Sequence, residues 1–198
     1  RVGGVGAGRE MPPQVRLYSG GPNTVRGVRQ NLLGPLVIVA RPDAAVEAGC
    51  APEPGGCPVE ASPRPDRVSV RPRGGRIVAE ANLESRLWLT RSFQVAAFAD
   101  AGAVLADAGP GEDGTSSETM LAPGVGFRWL TRLGPVRVDV GYDGRRPRRV
   151  PMLLQDDVDG ALIALGDVLW DPHGHDDPGR WRELWRRLQV HVALGQAF

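Results

Sequence analysis

The stretch Ile77-Val-Ala-Glu-Ala-Asn-Leu-Glu-Ser-Arg-Leu-Trp88 alternates with a period of two. Ile77, Ala79, Ala81, Leu83, Ser85 and Leu87 share one face of an extended chain, and Val78, Glu80, Asn82, Glu84, Arg86 and Trp88 share the other. One face is apolar and the other charged. A soluble sandwich would put the apolar face in its core, whereas a membrane barrel would put it on lipid and leave the charges in a wet lumen.

The flanking segments favour the barrel. After Thr90-Arg91-Ser92, a connection short enough for a hairpin, Phe93, Val95, Ala97, Ala99 and Ala101 alternate with Gln94, Ala96, Phe98, Asp100 and Gly102. Residues 106–118 read as a long polar loop. A third strand sets Val125, Phe127 and Trp129 against Gly124, Gly126 and Arg128. A tight turn at Arg132-Leu133-Gly134-Pro135 leads to a fourth, with Val136, Val138, Val140 and Tyr142 opposite Arg137, Asp139 and Gly141. The last strand sets Leu188, Val190, Val192, Leu194, Gln196 and Phe198 against Gln189, His191, Ala193 and Gly195. Connections are thus alternately very short (90–92, 132–135) and long (106–118, 143–187). Outer-membrane barrels sort their loops this way, with short turns on one rim, and a soluble sandwich has no reason to.

Composition agrees with this reading. The 198 residues include 27 Gly and 18 Pro, too many for a helical bundle. Basic and acidic residues number 24 and 23, so no nucleic-acid stripe is indicated. No run approaches the roughly 18–20 apolar residues of a spanning helix. Five strands, with a stub in residues 1–9, fall below the roughly eight of the smallest single-chain barrels. The expected fold is therefore all-β: an antiparallel meander forming the C-terminal part of a transmembrane β-barrel, an open curved sheet with long extracellular loops. The start at Arg1, without methionine or signal peptide, fits a mature product or a fragment.

Two further features lie in the loops. Cys50 and Cys57 flank Ala-Pro-Glu-Pro-Gly-Gly and can close a small disulfide loop in an oxidising compartment. In the 144–187 loop, residues 145–149 form a basic cluster, and Trp181, Leu184, Trp185 and Leu188 fall at helical spacing. A short amphipathic helix is expected there, packed against the barrel rim or touching lipid headgroups, the first being favoured. Enzyme motifs fail inspection. His173-Gly174-His175-Asp176-Asp177 offers too few ligands for metal-assisted hydrolysis, no nucleophilic triad stands out, and no metal or cofactor is expected.

The most specific segment is Arg16-Leu-Tyr-Ser-Gly-Gly-Pro-Asn-Thr-Val-Arg-Gly-Val-Arg29. Gly20-Gly21-Pro22-Asn23 makes a tight turn, Gly27 lets the backbone pass close to a wall, and Arg26 needs an anion. Here the chain resembles the bacterial surface antigen family, the BamA and TamA type of outer-membrane assembly factor. That family folds a long extracellular loop into the lumen, and its Val-Arg-Gly-aromatic tip is matched by Val25, Arg26 and Gly27, with Val28 in the aromatic's place. Residues 81–84, 98–102, 124–129, 134–139 and 194–198 are similar to further family segments, in family order. The resemblance implies a lumen-inserted loop over 15–73, strands and loops over 76–198, and about five of the family's strands within 1–198.

Alternation puts Glu84 and Asp100 on the charged face of adjacent strands. Two such carboxylates repel unless a cation sits between them, and the fork of Arg26 can bridge both. The alternative is a solvated Arg26, with Glu84 paired to Arg86, Arg128 or Arg137. Val190, Val192, Leu194 and Phe198 resemble the C-terminal recognition signal of outer-membrane strands. The resemblance implies a non-enzymatic protein of the bacterial outer membrane, in contact with its lipid, that inserts client outer-membrane proteins and has periplasmic or inner-membrane assembly partners. A two-partner secretion pore is the alternative within that class, and a soluble β-sandwich binding domain is the alternative outside it.

Overall fold

A computed structural model describes residues 2–4, 12–51, 56–58, 60–64, 66–107, 115–132, 134–155, 160–174 and 180–194. The chain forms two compact units. The first comprises Arg1–Pro35, Gly74–Gly144 and Leu184–Phe198; the second comprises Leu36–Arg73 and Arg145–Glu183.

The first unit is an open six-stranded antiparallel sheet. Its strands are β1 (Val2–Gly4), β4 (Ile77–Trp88), β5 (Phe93–Asp107), β6 (Thr115–Thr131), β7 (Gly134–Tyr142) and β10 (Leu188–Leu194), in the order β1-β4-β5-β6-β7-β10. The five main strands read from alternation are all present, and the N-terminal stub pairs with β4 through Val2↔Ala79; the polar loop expected over 106–118 is shorter, because β5 runs to Asp107 and β6 begins at Thr115, pairing Asp107↔Thr115. Local chemistry makes the tight turns. Thr90 Oγ1 accepts hydrogen bonds from the backbone N–H groups of Ser92 and Phe93, and Gly134 takes a left-handed φ of 121° opposite Thr131, whose hydroxyl donates to the Gly134 carbonyl.

The two faces of this sheet are inverted relative to a soluble protein. Leu83 is 75% exposed and Val125 61% exposed, and Leu87, Leu121, Phe127, Trp129, Val190, Val192 and Leu194 are also exposed. On the opposite, inner face Glu80, Asp100, Arg128, Arg137 and Asp139 are buried. Residues 12–35 cover that inner face. They double back on themselves through the Ser19↔Leu33 bridge and join the start of β4 through Leu17↔Gly75. A small apolar core lies between loop and sheet, with Val25, Val28 and Leu33 from the loop against Val78, Val104, Met120 and Ala122 from the strands.

The second unit departs from the sequence reading. Residues 36–73, expected within the inserted loop, form β2 (Leu36–Ala40), the helix α1 (Pro42–Glu47) and β3 (Val68–Pro72). The 143–187 connection, expected to hold only a helix, also contains β8 (Arg148–Gln155) and β9 (Leu162–Trp170). The four strands make a sheet of order β3-β2-β8-β9. The pair β2·β8 is parallel, through Ile38↔Met152 and Ala40↔Leu154, so the all-antiparallel expectation fails at that pair. The reason is visible in composition: Leu36-Val-Ile-Val-Ala40 is a continuous apolar run, the pattern of a central strand with both neighbours paired. Ile38, Ala40, Val150, Met152, Leu154 and Val168 are buried together with Ala44 and Ala45 of α1. Cys50 and Cys57 form a disulfide, and both sulfurs lie 3.9 Å from the Met152 sulfur. The predicted helix is α2 (Arg180–Arg186), leading into β10.

If the odd-numbered face of β6 meets lipid, Val125→Arg costs about 2–4 kcal/mol near the bilayer midplane. At a water-exposed site the same change stays within about 0.5 kcal/mol. Denaturant titration of the full-length protein in lipid vesicles separates the two outcomes.

Candidate functional site

The site is the contact between the tip of the 12–35 loop and the inner face of the sheet. The turn that builds the tip needs Gly20 and Gly21, whose φ values of 102° and 114° suit residues without a Cβ. Thr24 Oγ1 accepts from the Gly20 N–H at 3.0 Å, and the Val28 N–H reaches the Val25 carbonyl at 3.1 Å, which leaves Arg26 at the apex.

Arg26 is 3% exposed. Its Nε and Nη2 donate to the two carboxylate oxygens of Asp100 at 2.7 and 2.8 Å, a bidentate fork, and its backbone N–H adds a third bond to Asp100 at 3.0 Å. Nη1 donates to Glu84 at 2.5 Å and lies 3.7 Å from Asp139. The guanidinium carbon sits 3.5 Å over the centre of the Phe98 ring, a cation–π contact. The structure thus brings Arg26, Glu84 and Asp100 together. Burial by itself would lower the Arg26 pKa, but the bonds to Asp100 and Glu84 outweigh it and hold the pKa above its ordinary value, so the group stays charged.

The neighbours complete the charge balance. Arg128 donates to Asp139 at 2.6 Å and reaches Glu84 at 3.3 Å, while Arg86 binds the other oxygen of Glu84 at 2.6 Å. Glu84 therefore serves Arg26, Arg86 and Arg128 at once. Arg137 donates to the Pro22 carbonyl at 2.8 Å and to Asn23 Oδ1 at 2.5 Å, with Asp139 3.8 Å from its Nε. Three buried arginines (26, 128, 137) thus meet three carboxylates (84, 100, 139), with the more exposed Arg86 at the edge of the set. Uncharged contacts finish the clamp. Asn82 donates to the Thr24 carbonyl at 2.7 Å and to Asp100 at 3.0 Å, and His191 Nε2 on β10 donates to the Arg26 carbonyl at 2.9 Å.

Glycines give the tip its room. A Cβ on Gly141 would stand 2.5 Å from the Arg26 carbonyl oxygen and 2.7 Å from the Gly27 nitrogen. One on Gly27 would meet the Ala122 methyl at 2.6 Å, and one on Gly102 would strike Val25 and Leu33 at the same distance. The wall that Gly27 passes is therefore β6 and β7.

An Omp85 superfamily domain matches residues 2–154, running from β1 into β8 and including all six charged residues of the balance. The chain belongs to the Omp85 superfamily. No curated protein and no solved structure matches it. Omp85 proteins are outer-membrane proteins of the assembly and secretion class, and an exposed apolar face like that of β4–β7 and β10 is what a lipid-facing strand set carries. Val190, Val192 and Leu194 lie on that side, exposed, while Phe198 lies outside the described residues.

Sequence reasoning missed Asp139, Phe98, Asn82 and His191 as partners of the loop tip. All four stand on the inner face by alternation, so the face was readable; their meeting at one arginine depends on register, Asn82↔Asp100 and His191↔Asp139 among the pairs. Val28, standing where the family carries an aromatic, is buried in the apolar core and makes no ring contact with Arg26; Phe98 of β5 provides that contact.

Removing the cation leaves two carboxylates buried without it. Arg26→Ala is expected to cost about 3–5 kcal/mol and to expose residues 12–35 to protease, with Arg26→Lys recovering only part because it lacks the fork. Urea midpoints and limited proteolysis of the folded full-length protein measure both. Gly141→Ala is expected to loosen the same loop without altering any charge, and an unchanged cleavage pattern would refute the close-approach explanation.

Proposed function

We propose that the protein assists the insertion of client β-barrel proteins into the outer membrane, with client folding as the energy source. The observation that carries this reading is the tie between β10 and the inserted loop tip in a chain of the Omp85 superfamily. β10 is a strand of seven residues paired with β7. A client strand pairing along β10 in the full-length protein would gain main-chain hydrogen bonds. Two features support that role. The outward residues of β10 are apolar, as a client strand moving sideways into lipid requires. Its inward His191 is bonded to the Arg26 loop tip, so β10 and the inserted loop are held by one network. In this reading the loop clamp sets the position of the strand along which clients pair, and BamA and TamA are the members whose task it matches.

Depletion of the full-length protein is expected to lower several unrelated outer-membrane barrels together, read as loss of their heat-modifiable folded bands. Complementation with Arg26→Ala should restore them incompletely. Loss of one exported passenger with the other barrels unaffected would overturn the insertion reading in favour of a secretion pore.

A further inference from the structure

Helix α2 carries Trp181, Leu184 and Trp185 at positions i, i+3 and i+4, one face of a helix. That face is uncovered: Trp181 is 79% exposed and Trp185 71% exposed, and Leu184 is exposed beside them. Among the described residues nothing covers that face, so the packing favoured by the sequence is not found there. Two large indoles left in water would form an apolar patch of the kind that marks a contact surface.

The position of the helix identifies the contact. Its exit is tied to the rim opposite the short turns: the Arg187 N–H bonds the Leu184 carbonyl at 3.1 Å, and the Asp143 N–H, next to the end of β7, bonds the Arg187 carbonyl at 2.7 Å. One residue later β10 begins, and its exposed Val190, Val192 and Leu194 continue down the apolar side. The apolar face of α2 therefore leads directly into the apolar band of the barrel.

Aromatic placement points the same way. Transmembrane barrels carry aromatic girdles at both membrane interfaces. On the short-turn rim the outward Phe93, Phe127 and Trp129 stack with ring centres 5.4 and 6.2 Å apart. At the opposite rim the outward strand residues include Ile77, Leu105 and Thr119, and Tyr142 is the one aromatic among the described strand residues there. The missing indoles are on α2. Arg182, exposed on the same helix, adds the positive charge that anionic headgroups attract.

We propose that α2 is an interfacial helix seated in the outer-leaflet headgroup layer, with Trp181, Leu184 and Trp185 at the acyl boundary and Arg182 facing lipid phosphates. It anchors the loop end of β10 to the membrane surface. The proposal uses only the outer-membrane placement of the family and holds whichever client the protein serves.

The test reads the two tryptophans directly. Full-length protein is reconstituted in phosphatidylcholine vesicles containing phosphatidylglycerol, with bromine on the acyl chains, and emission is compared with that of Trp181→Phe/Trp185→Phe. Because both sites are exposed and Phe preserves an aromatic ring, the variant retains the barrel; Trp185→Phe alone provides a milder second case. The difference spectrum is expected to fall about twofold with brominated chains and to change little with aqueous iodide. Arg182→Gln should reduce the difference between vesicles with and without phosphatidylglycerol. Quenching by iodide with no effect of bromine would place the helix in water, and resistance to both would place it against protein. Either result overturns the proposal.

Discussion

One cation held between buried carboxylates organises the first unit. Asp100 and Asp139 are both 0% exposed, on neighbouring parts of the inner face, and neither has bulk water to stabilise its charge. Arg26 answers that requirement from outside the sheet, and it can do so only if residues 12–35 are folded against the strands. A buried ion network of this kind adds little net stability, because desolvation offsets the Coulomb gain. Its effect is on specificity: of the placements open to a glycine-rich loop, one satisfies the charges. Breaking it is costly, so the loop is pinned while it stays matched and released when it is not.

The inverted sheet makes that clamp possible. A strand set whose apolar side faces lipid has no use for large apolar groups on its other side, and the inner face is free to combine charges with glycines. Gly102 and Gly141 give the loop backbone its depth, and Phe98 gives Arg26 a ring to lie on. Small residues and charges alternate along the same strands for one reason: the first admit the loop and the second hold it.

The long connections are more structured than loops of a barrel need to be. One runs from the clamped tip to β4 and the other from β7 to β10, and segments of the two pair as β2·β8. Within the second unit that parallel pair joins the two connections, and within the first His191 of β10 bonds the Arg26 carbonyl on the inner face.

Much of this was legible in the chain. The period-two alternation of residues 77–88, 93–102, 124–129, 136–142 and 188–194 depends only on local sequence, because successive side chains of a strand point to opposite sides whatever lies next to it. That alone determined the main strands, the two faces, and the charged set to which Glu84 and Asp100 belong; the spacing of Cys50 and Cys57 likewise pointed to their bond. Tertiary structure decided what local sequence cannot encode. The parallel partner of Leu36–Ala40 is more than a hundred residues away, and no turn signal links the two. Asp139, Asn82 and His191 reach the loop tip because register sets their height, and register is a property of pairs of strands. The uncovered face of α2 is of the same kind: helical spacing shows that a helix has an apolar side, and only the surrounding fold decides whether protein covers it.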